Sequence, residues 1–285
     1  MKRLVLLLAL FGCGGSQKPA FTVLTYNVLC SFCDLQNFDP WEQRLDAFED
    51  ILRRHDPDVF GLQELFTADE VKQLQKRRPG FTALYFHDPQ RQNLIDYPDA
   101  TLFYRTTLFD ALESGTYWLS DTPEVAWSGG WSSGQIWRLV TWARLRHKPS
   151  GRDFYVATTH VDNNHPNQEH SAQVLLQQTG PIAQTLPVIL MGDFNSTPAT
   201  DAYQALLAGA NGFAFLDAHD LALKQEVLFN APQQPAYDAA ERIDQIFLGG
   251  AGKFRVERWS VDLFTYGASA RYPSDHFPIS VKLSF

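Results

Sequence analysis

Leu186-Pro187-Val188-Ile189-Leu190-Met191-Gly192-Asp193-Phe194-Asn195-Ser196-Thr197-Pro198 opens as an apolar run and closes as a polar loop. A continuous apolar run of this length is a strand buried on both faces or part of a buried helix. Pro187 at its start and Gly192 at its end favour the strand. Asp193 and Asn195 follow two residues apart, and in extended chain such residues point to the same side. A carboxylate and a carboxamide then emerge together at the carboxyl end of a buried strand, where open α/β sheets place their chemistry. Taken alone, the stretch is equally a loop opening, with Asp and Asn as turn formers and Ser196 or Thr197 capping the next helix.

Outward from it, the same form recurs. Residues 21–27 make a β-branched and aromatic strand ending on Asn27, residues 58–64 a strand ending on Glu64, and residues 154–160 a strand ending on His160. Residues 41–54 have helical spacing, with Trp41, Leu45, Phe48, Ile51 and Leu52 on one face, stopped by His55-Asp56-Pro57. A second helix over 68–77 stops at Pro79-Gly80, so the chain opens β-α-β-α. Residues 81–86, 100–104, 109–119 and 136–145, the last containing Arg138, are further strands. Residues 168–184 and 200–207 are helices, and 242–248, 254–261 and 279–285 are closing strands. Residues 120–134, with Trp127 and Trp131, form a long loop, and long loops are more often functional than idle. Residues 209–240 are loop-rich and have no definite assignment. Strands outnumber the helices able to link them in parallel, so the sheets are expected to be mixed. That many strands in one domain suggests two packed sheets with helices outside.

The 285 residues suffice for one large α/β domain, and no Pro-, Gly- or Ser-rich linker divides residues 21–285. The net charge of −8 argues against coating nucleic acid by bulk charge, though not against neutralising phosphate locally with a metal. Met1-Lys2-Arg3 is basic, 4–11 is apolar but too short to anchor stably across a bilayer, and Gly12-Cys13-Gly14-Gly15-Ser16 is small. This is the layout of a secretory signal followed by a tether over residues 1–20. Leu10-Phe11-Gly12-Cys13 resembles the bacterial lipoprotein cleavage box, in which the cysteine is lipidated. Phe11 is bulkier than usual there, so ordinary cleavage after a nearby small residue is the alternative. The expected localisation is export: periplasmic, held to the outer membrane by a lipid anchor at Cys13, or secreted. Cys30 and Cys33 lie in an oxidising compartment on this reading, without a thioredoxin pattern or a second cysteine pair. A small local disulfide, or two inert thiols, is expected rather than a redox or zinc site.

Polar residues thus recur at the ends of apolar strands: Asn27, Glu64, His160, Asp193 with Asn195, Asp244, and Asp275-His276. Singly, each has a dull explanation as a turn former, cap or structural histidine. Asp244 is less dull, because a carboxylate between Ile243 and Ile246 must find a partner or be desolvated at a cost. Together they supply the parts that metal-assisted phosphoester cleavage needs. Glu64 and Asp275 are hard oxygen ligands suited to Mg²⁺, Mn²⁺ or Ca²⁺. A carboxylate takes a proton from water, two histidines donate to a phosphate oxygen or act as acid, and Asn side chains hold phosphate.

The ordered set Thr25-Tyr26-Asn27, Gln63-Glu64, Thr158-Thr159-His160-Val161-Asp162, Gly192-Asp193-Phe194-Asn195, Arg242-Ile243-Asp244 and Ser274-Asp275-His276-Phe277-Pro278 resembles the endonuclease/exonuclease/phosphatase superfamily. Trp118-Leu119-Ser120-Asp121-Thr122-Pro123 is similar to a stretch of its secreted bacterial members. The resemblance implies an α/β, DNase I-like, four-layer sandwich of two packed mixed β-sheets flanked by helices. It implies Glu64 as the main Mg²⁺ ligand, Asn27 beside it, and Asp275 near or on the metal. It implies that Asp193 orients or deprotonates the attacking water and that Asn195 holds water and phosphate. His276 would contact phosphate with Asp244 behind it, and His160 would face the leaving group, with Asp99 or Asp96 as a partner carboxylate. Arg138 and Asn27 would also steady the phosphate. Gln168-Glu169-His170 stands where many relatives carry a basic residue, and Asp162-Asn163-Asn164-His165 replaces a run with a second histidine. Both departures touch substrate contacts rather than the metal centre.

The expected activity is hydrolysis of a phosphodiester or phosphomonoester by a monomeric enzyme. DNA or RNA is the default substrate, and a phospholipid head group or an inositol or sugar phosphate is the alternative. A non-catalytic binding module on the same fold is the reading of a different class.

Overall fold

The computed structural model describes residues 19–88, 96–131 and 136–285. The basic-apolar leader and Cys13 lie outside the described residues, as do parts of the 87–98 and 120–134 loops. The elements run β1 (Ala20–Asn27), α1 (Trp41–His55), β2 (Val59–Gln63), α2 (Ala68–Arg77), β3 (Phe81–Phe86), β4 (Tyr97–Arg105), β5 (Phe109–Trp118) and β6 (Leu139–His147). They continue through β7 (Arg152–His160), α3 (Asn167–Ala183), β8 (Pro187–Asp193), α4 (Asp201–Ala208), β9 (Leu216–Asp217), α5 (Ala218–Leu221) and β10 (Gln225–Phe229). The chain closes with β11 (Asp244–Gly250), β12 (Arg255–Leu263) and β13 (Ile279–Ser284). Among the described residues no helix is long and apolar enough to cross a membrane.

The strands form a seven-stranded sheet, β10-β12-β13-β1-β2-β4-β3, and a six-stranded sheet, β5-β6-β7-β8-β11-β9. Both are mixed. β1–β2, β7–β8 and β10–β12 pair in parallel, whereas β1–β13, β2–β4, β6–β7 and β8–β11 pair antiparallel. The continuous apolar runs are explained by layering, because each central strand is buried on both faces. Ile189 and Met191 of β8 meet Val23 and Val59 of the other sheet in the middle layer. Val188 and Leu190 face the opposite way, onto Ala172 and Leu175 of α3 and Leu206 of α4. In the same manner Leu24 and Tyr26 of β1 pack beneath Trp41, Leu45 and Phe48 of α1 and near Val71 and Leu74 of α2. The four layers are helices, sheet, sheet, helices.

Strand direction gathers the polar residues. Asn27, Glu64, His160 and Asp193 sit at or just past the carboxyl ends of β1, β2, β7 and β8. Asp244 opens β11, His276 precedes β13, Arg138 precedes β6 and Asp99 lies near the start of β4. These last four strands run antiparallel to the first four, so their beginnings lie at the same edge of the sandwich. Two differences from the sequence boundaries bear on the site. Arg138 precedes its strand, and β11 begins at Asp244 and runs two residues further, so Asp244 sits at a strand start and not within one. Residues 209–240 contain β9, α5 and the edge strand β10. Gln225-Glu226-Val227-Leu228-Phe229 is half-exposed and lacks the alternation that would have marked it.

Candidate active site

Asn27 is fully buried and ties the two sheets together. Its Nδ2 donates to Glu64 Oε1 at 2.9 Å and to Asp193 Oδ2 at 3.0 Å, and its Oδ1 accepts the Leu29 N–H at 3.0 Å. Its amide is thus engaged with Glu64, beside which it was expected, and also with Asp193. Glu64 leaves β2 with φ of 67°, a left-handed conformation that costs a non-glycine residue roughly 1–2 kcal/mol. The Cys30 N–H donates to its Oε2 at 2.9 Å, and the Cys30–Cys33 disulfide closes the loop that supplies this amide. Glu64 and those two sulfurs are neighbours, but sulfurs joined in a disulfide offer no thiolate to a metal.

Asp193 is the centre of the arrangement. Its Oδ1 accepts the Asn195 N–H at 2.8 Å. Its Oδ2 faces His160 Nε2 at 3.5 Å and His276 Nε2 at 3.7 Å. Each imidazole is backed by its own carboxylate: His160 Nδ1 lies 2.9 Å from Asp99 Oδ1, and His276 Nδ1 lies 2.8 Å from Asp244 Oδ2. A carboxylate only accepts, so Asp244 places a proton on His276 Nδ1, while His160 Nδ1 meets both the Asp99 carboxylate and the Arg138 guanidinium; both rings turn Nε2 toward Asp193. Burial disfavours the His276 cation, but the charge and hydrogen bond of Asp244 outweigh it, and the imidazole is raised above its ordinary value. Burial likewise pushes Asp244 up, with His276 opposing and Asp193 adding to the rise. Asp99 goes the other way, because His160 and Arg138 overcome its desolvation and hold it below the usual carboxylate range.

Of the two carboxylates offered for His160, Asp99 is the partner; Asp96 instead meets the exposed His87 at 2.5 Å. Arg138 Nη1 reaches Asp99 Oδ2 at 2.9 Å and His160 Nδ1 at 2.7 Å, which sets the guanidinium behind the imidazole. Asn195 has φ of 49° and gives a side-chain hydrogen to Val161 O at 2.8 Å. Gln168, at the position where a basic residue was looked for, donates to Asn195 O and pins the same loop. Asp275 is exposed at the mouth, with its Oδ1 accepting from Ser274 Oγ at 3.2 Å.

Two contributors were not legible in the sequence. Arg44 lies on the inner face of α1 and is fully buried. It donates to the carbonyls of Val28, Leu29 and Cys30 and, at 2.9 Å, to Pro273 O, so one guanidinium braces the loops carrying Glu64's amide donor and His276. Beneath the site a polar ladder crosses between sheets: Thr25 Oγ1 donates to Gln63 Oε1 and Gln63 Nε2 to Thr158 Oγ1, at 3.2 and 2.9 Å. A cation on the inner face of a helix and a Gln within a strand are signals, but each has many bland explanations.

The donor set fits a hard divalent cation. Each Glu64 oxygen takes one hydrogen bond and keeps a second lone pair. Among the described residues no Lys or Arg pairs with Glu64 or Asp275. A second group, Asp193, Asp244 and His276, brings ligand-type atoms within 4.8 Å of one another, and Asp244 Oδ1 there is buried with no hydrogen bond.

Known proteins share this architecture. A family model described as the endonuclease/exonuclease/phosphatase family matches residues 24–276. The crystal structure of an endonuclease/exonuclease/phosphatase family protein from Bacteroides thetaiotaomicron is 30% identical, with a TM-score of 0.80, covering 94% of this chain and 99% of that one. The mannosyl-6-phosphatase of Bacteroides thetaiotaomicron is 29% identical, with a TM-score of 0.78, covering 93% and 100%. The CCR4-Not complex 3'-5'-exoribonuclease subunit Ccr4 of Saccharomyces cerevisiae is 23% identical over 333 residues, covering 94% of this chain and 39% of that protein. The chain therefore spans about two-fifths of the length of this curated relative. The matched span takes in every residue of the polar cluster from Asn27 to His276, and this chain belongs to the endonuclease/exonuclease/phosphatase family.

Proposed function

We propose that this chain is a Mg²⁺-dependent phosphoesterase in which water attacks phosphorus in line. The observation that carries the reading is the convergence of His160 Nε2 and His276 Nε2 on Asp193 Oδ2, each imidazole backed by a carboxylate. Asp193, fixed by the Asn195 N–H and the Asn27 amide, orients the attacking water and takes its proton. His276, kept cationic by Asp244, donates to a phosphoryl oxygen as charge builds there. His160, set by Asp99 and Arg138, faces the leaving oxygen as donor. Glu64 and Asp275 are the residues to hold Mg²⁺, with Asn27 steadying Glu64. The bound cation would neutralise charge on the phosphoryl oxygens.

Two substrate readings share this machinery. The exoribonuclease relative supports a diester, and the mannosyl-6-phosphatase, similar over its whole length, supports a monoester. The test is p-nitrophenol release from bis-(p-nitrophenyl) phosphate and from p-nitrophenyl phosphate, using protein lacking residues 1–20. Hydrolysis is expected to stop with EDTA and return with Mg²⁺. Asp193→Ala and His276→Ala are each expected to lose about 10²–10⁴-fold in kcat with unchanged circular dichroism. Wild-type rates in either variant would overturn the roles, and EDTA-resistant turnover would overturn the metal.

A further inference from the structure

Next to His276 lies a cleft of about 340 Å³ that the phosphate chemistry leaves unused. Its inner end is shared with Asp244 and Asp275, and its outer walls are Tyr237, Asp238, Glu241, Arg242 and Phe277. We propose that this cleft is a sugar subsite, taking the ring of a hexose phosphate monoester whose phosphoryl group sits at His276. The proposal rests on the phosphoesterase reading and names its substrate class.

Three features of the walls favour a neutral, hydroxyl-rich ring. The first is aromatic surface. Tyr237 and Phe277 stand 6.3 Å apart at 75°, and Tyr237 is braced from behind by Trp259 at 6.5 Å. Such faces cover the C–H side of a sugar ring, and ligand sites are built mainly of surface of this kind. The second is acceptor surplus. Asp238 uses Oδ1 to cap the 3-10 turn at Ala240 N, 2.9 Å away, and has its other oxygen to offer. Glu241 is exposed, and among the described residues neither its carboxylate nor the Tyr237 hydroxyl has a hydrogen-bonding partner. Asp244 Oδ1, on a side chain only 9% exposed, has none either. Carboxylates only accept, so these walls call for donors, which sugar hydroxyls supply.

The third feature is charge. Arg242 does not offset the acidic wall, because its Nη2 is 2.6 Å from Asp217 Oδ2 and its Nη1 is held by Ala239 O. A nucleic acid strand would bring further phosphates against Asp238 and Glu241, where like charges repel. A monoester brings one phosphate, received at the histidines, and presents only hydroxyls beyond it.

The experiment compares kcat/KM with Mg²⁺ for D-mannose 6-phosphate, D-glucose 6-phosphate, p-nitrophenyl phosphate and a single-stranded DNA oligonucleotide. A hexose phosphate is expected to exceed p-nitrophenyl phosphate and the oligonucleotide at least tenfold. Tyr237→Ala is expected to cut that preference about tenfold through KM, and Glu241→Gln about threefold. Glu241 is exposed, so its variant tests the cleft without risk to the fold. A preference for the oligonucleotide, or a hexose preference unmoved by both variants, overturns the sugar subsite and leaves the phosphoesterase standing. If no substrate is hydrolysed, the phosphoesterase reading fails. Saturation-transfer NMR with D-mannose 6-phosphate then decides the cleft: signal lost in Tyr237→Ala supports it, and absence of signal overturns it.

Discussion

Asp244 makes no contact with the attacking water in the proposed chemistry, yet it governs the charge of a residue that meets the phosphate. His276 keeps its proton because the Asp244 carboxylate lies 2.8 Å from Nδ1, against the pull of burial. Asp244→Asn removes the charge and keeps the shape. With the desolvation left unopposed by Asp244, the His276 pKa is expected to fall by ~1 unit or more, as a lost close ion pair implies. An NMR titration of the imidazole reads this directly, and a titration unchanged in Asp244→Asn would show that the carboxylate does not hold the proton. Glu64, Asp193, His160 and His276 were approachable from sequence as site candidates, because the first three stand where an apolar run stops and His276 just before one begins. Asp99 was legible only as one of two choices, since nothing local separates it from Asp96. Their partners do: Asp99 meets Arg138 and His160, while Asp96 meets an exposed histidine.

Gly61 of β2 shows how closely two elements must approach for the site to form. A methyl group built on it would lie 2.2 Å from Thr158 Oγ1 of β7, in the facing sheet. The contact sits beside the Gln63–Thr158 hydrogen bond, directly beneath Glu64 and His160. Gly61→Ala is therefore expected to force the sheets apart and cost about 1–3 kcal/mol, as overpacked cores do. A lower urea midpoint would register it, and the Thr158→Gly change in the same chain should recover part of the loss. An unaltered midpoint in Gly61→Ala would mean that the sheets have slack at this level. Most elements announced themselves through periodicity. α2 spans Ala68–Arg77 and β3 spans Phe81–Phe86, as the spacing and the Pro79-Gly80 stop imply. β10 did not, because an edge strand pairs on one side and stands half in solvent, so neither alternation nor a continuous apolar run is required of it.

An imidazole lies among the aromatic rings in the middle of the sandwich. His147 is buried against Phe21, Phe109 and Phe285, with its Nδ1 2.9 Å from Ser150 Oγ. Burial lowers its pKa below the ordinary 6.5. The unfolded chain then takes up a proton near pH 6.5 while the folded chain does not until lower pH. The unfolded state binds more protons in that window, so stability present above pH 6.5 is lost as pH falls toward the folded value. His147→Asn keeps a group able to bond Ser150 and is expected to flatten the fall in urea midpoint between pH 7.5 and 5. If the variant and wild type lose stability in parallel across that range, the acid sensitivity lies elsewhere. The negative net charge acts on the same whole-molecule scale, and it weakens the long-range attraction of any polyanion.

The amino-acid order by itself determined most of the strands and helices outside residues 209–240, that the sheets are mixed and doubly covered, and which polar residues stand at strand ends. Those properties are local: the period of two, the period near 3.6, and the stops at Pro, Gly and Asp. Only the tertiary structure decided which of those residues meet. Asp193 and His276 are far apart in sequence, and they converge because β8 and β13 lie in facing sheets and run so that one's end and the other's beginning share an edge. The same holds for Arg44 reaching Pro273, and for Tyr237 and Phe277 meeting edge to face in the cleft wall. Strand order and register set these distances, and they depend on the sum of many weak packing preferences across the molecule rather than on any one stretch of chain.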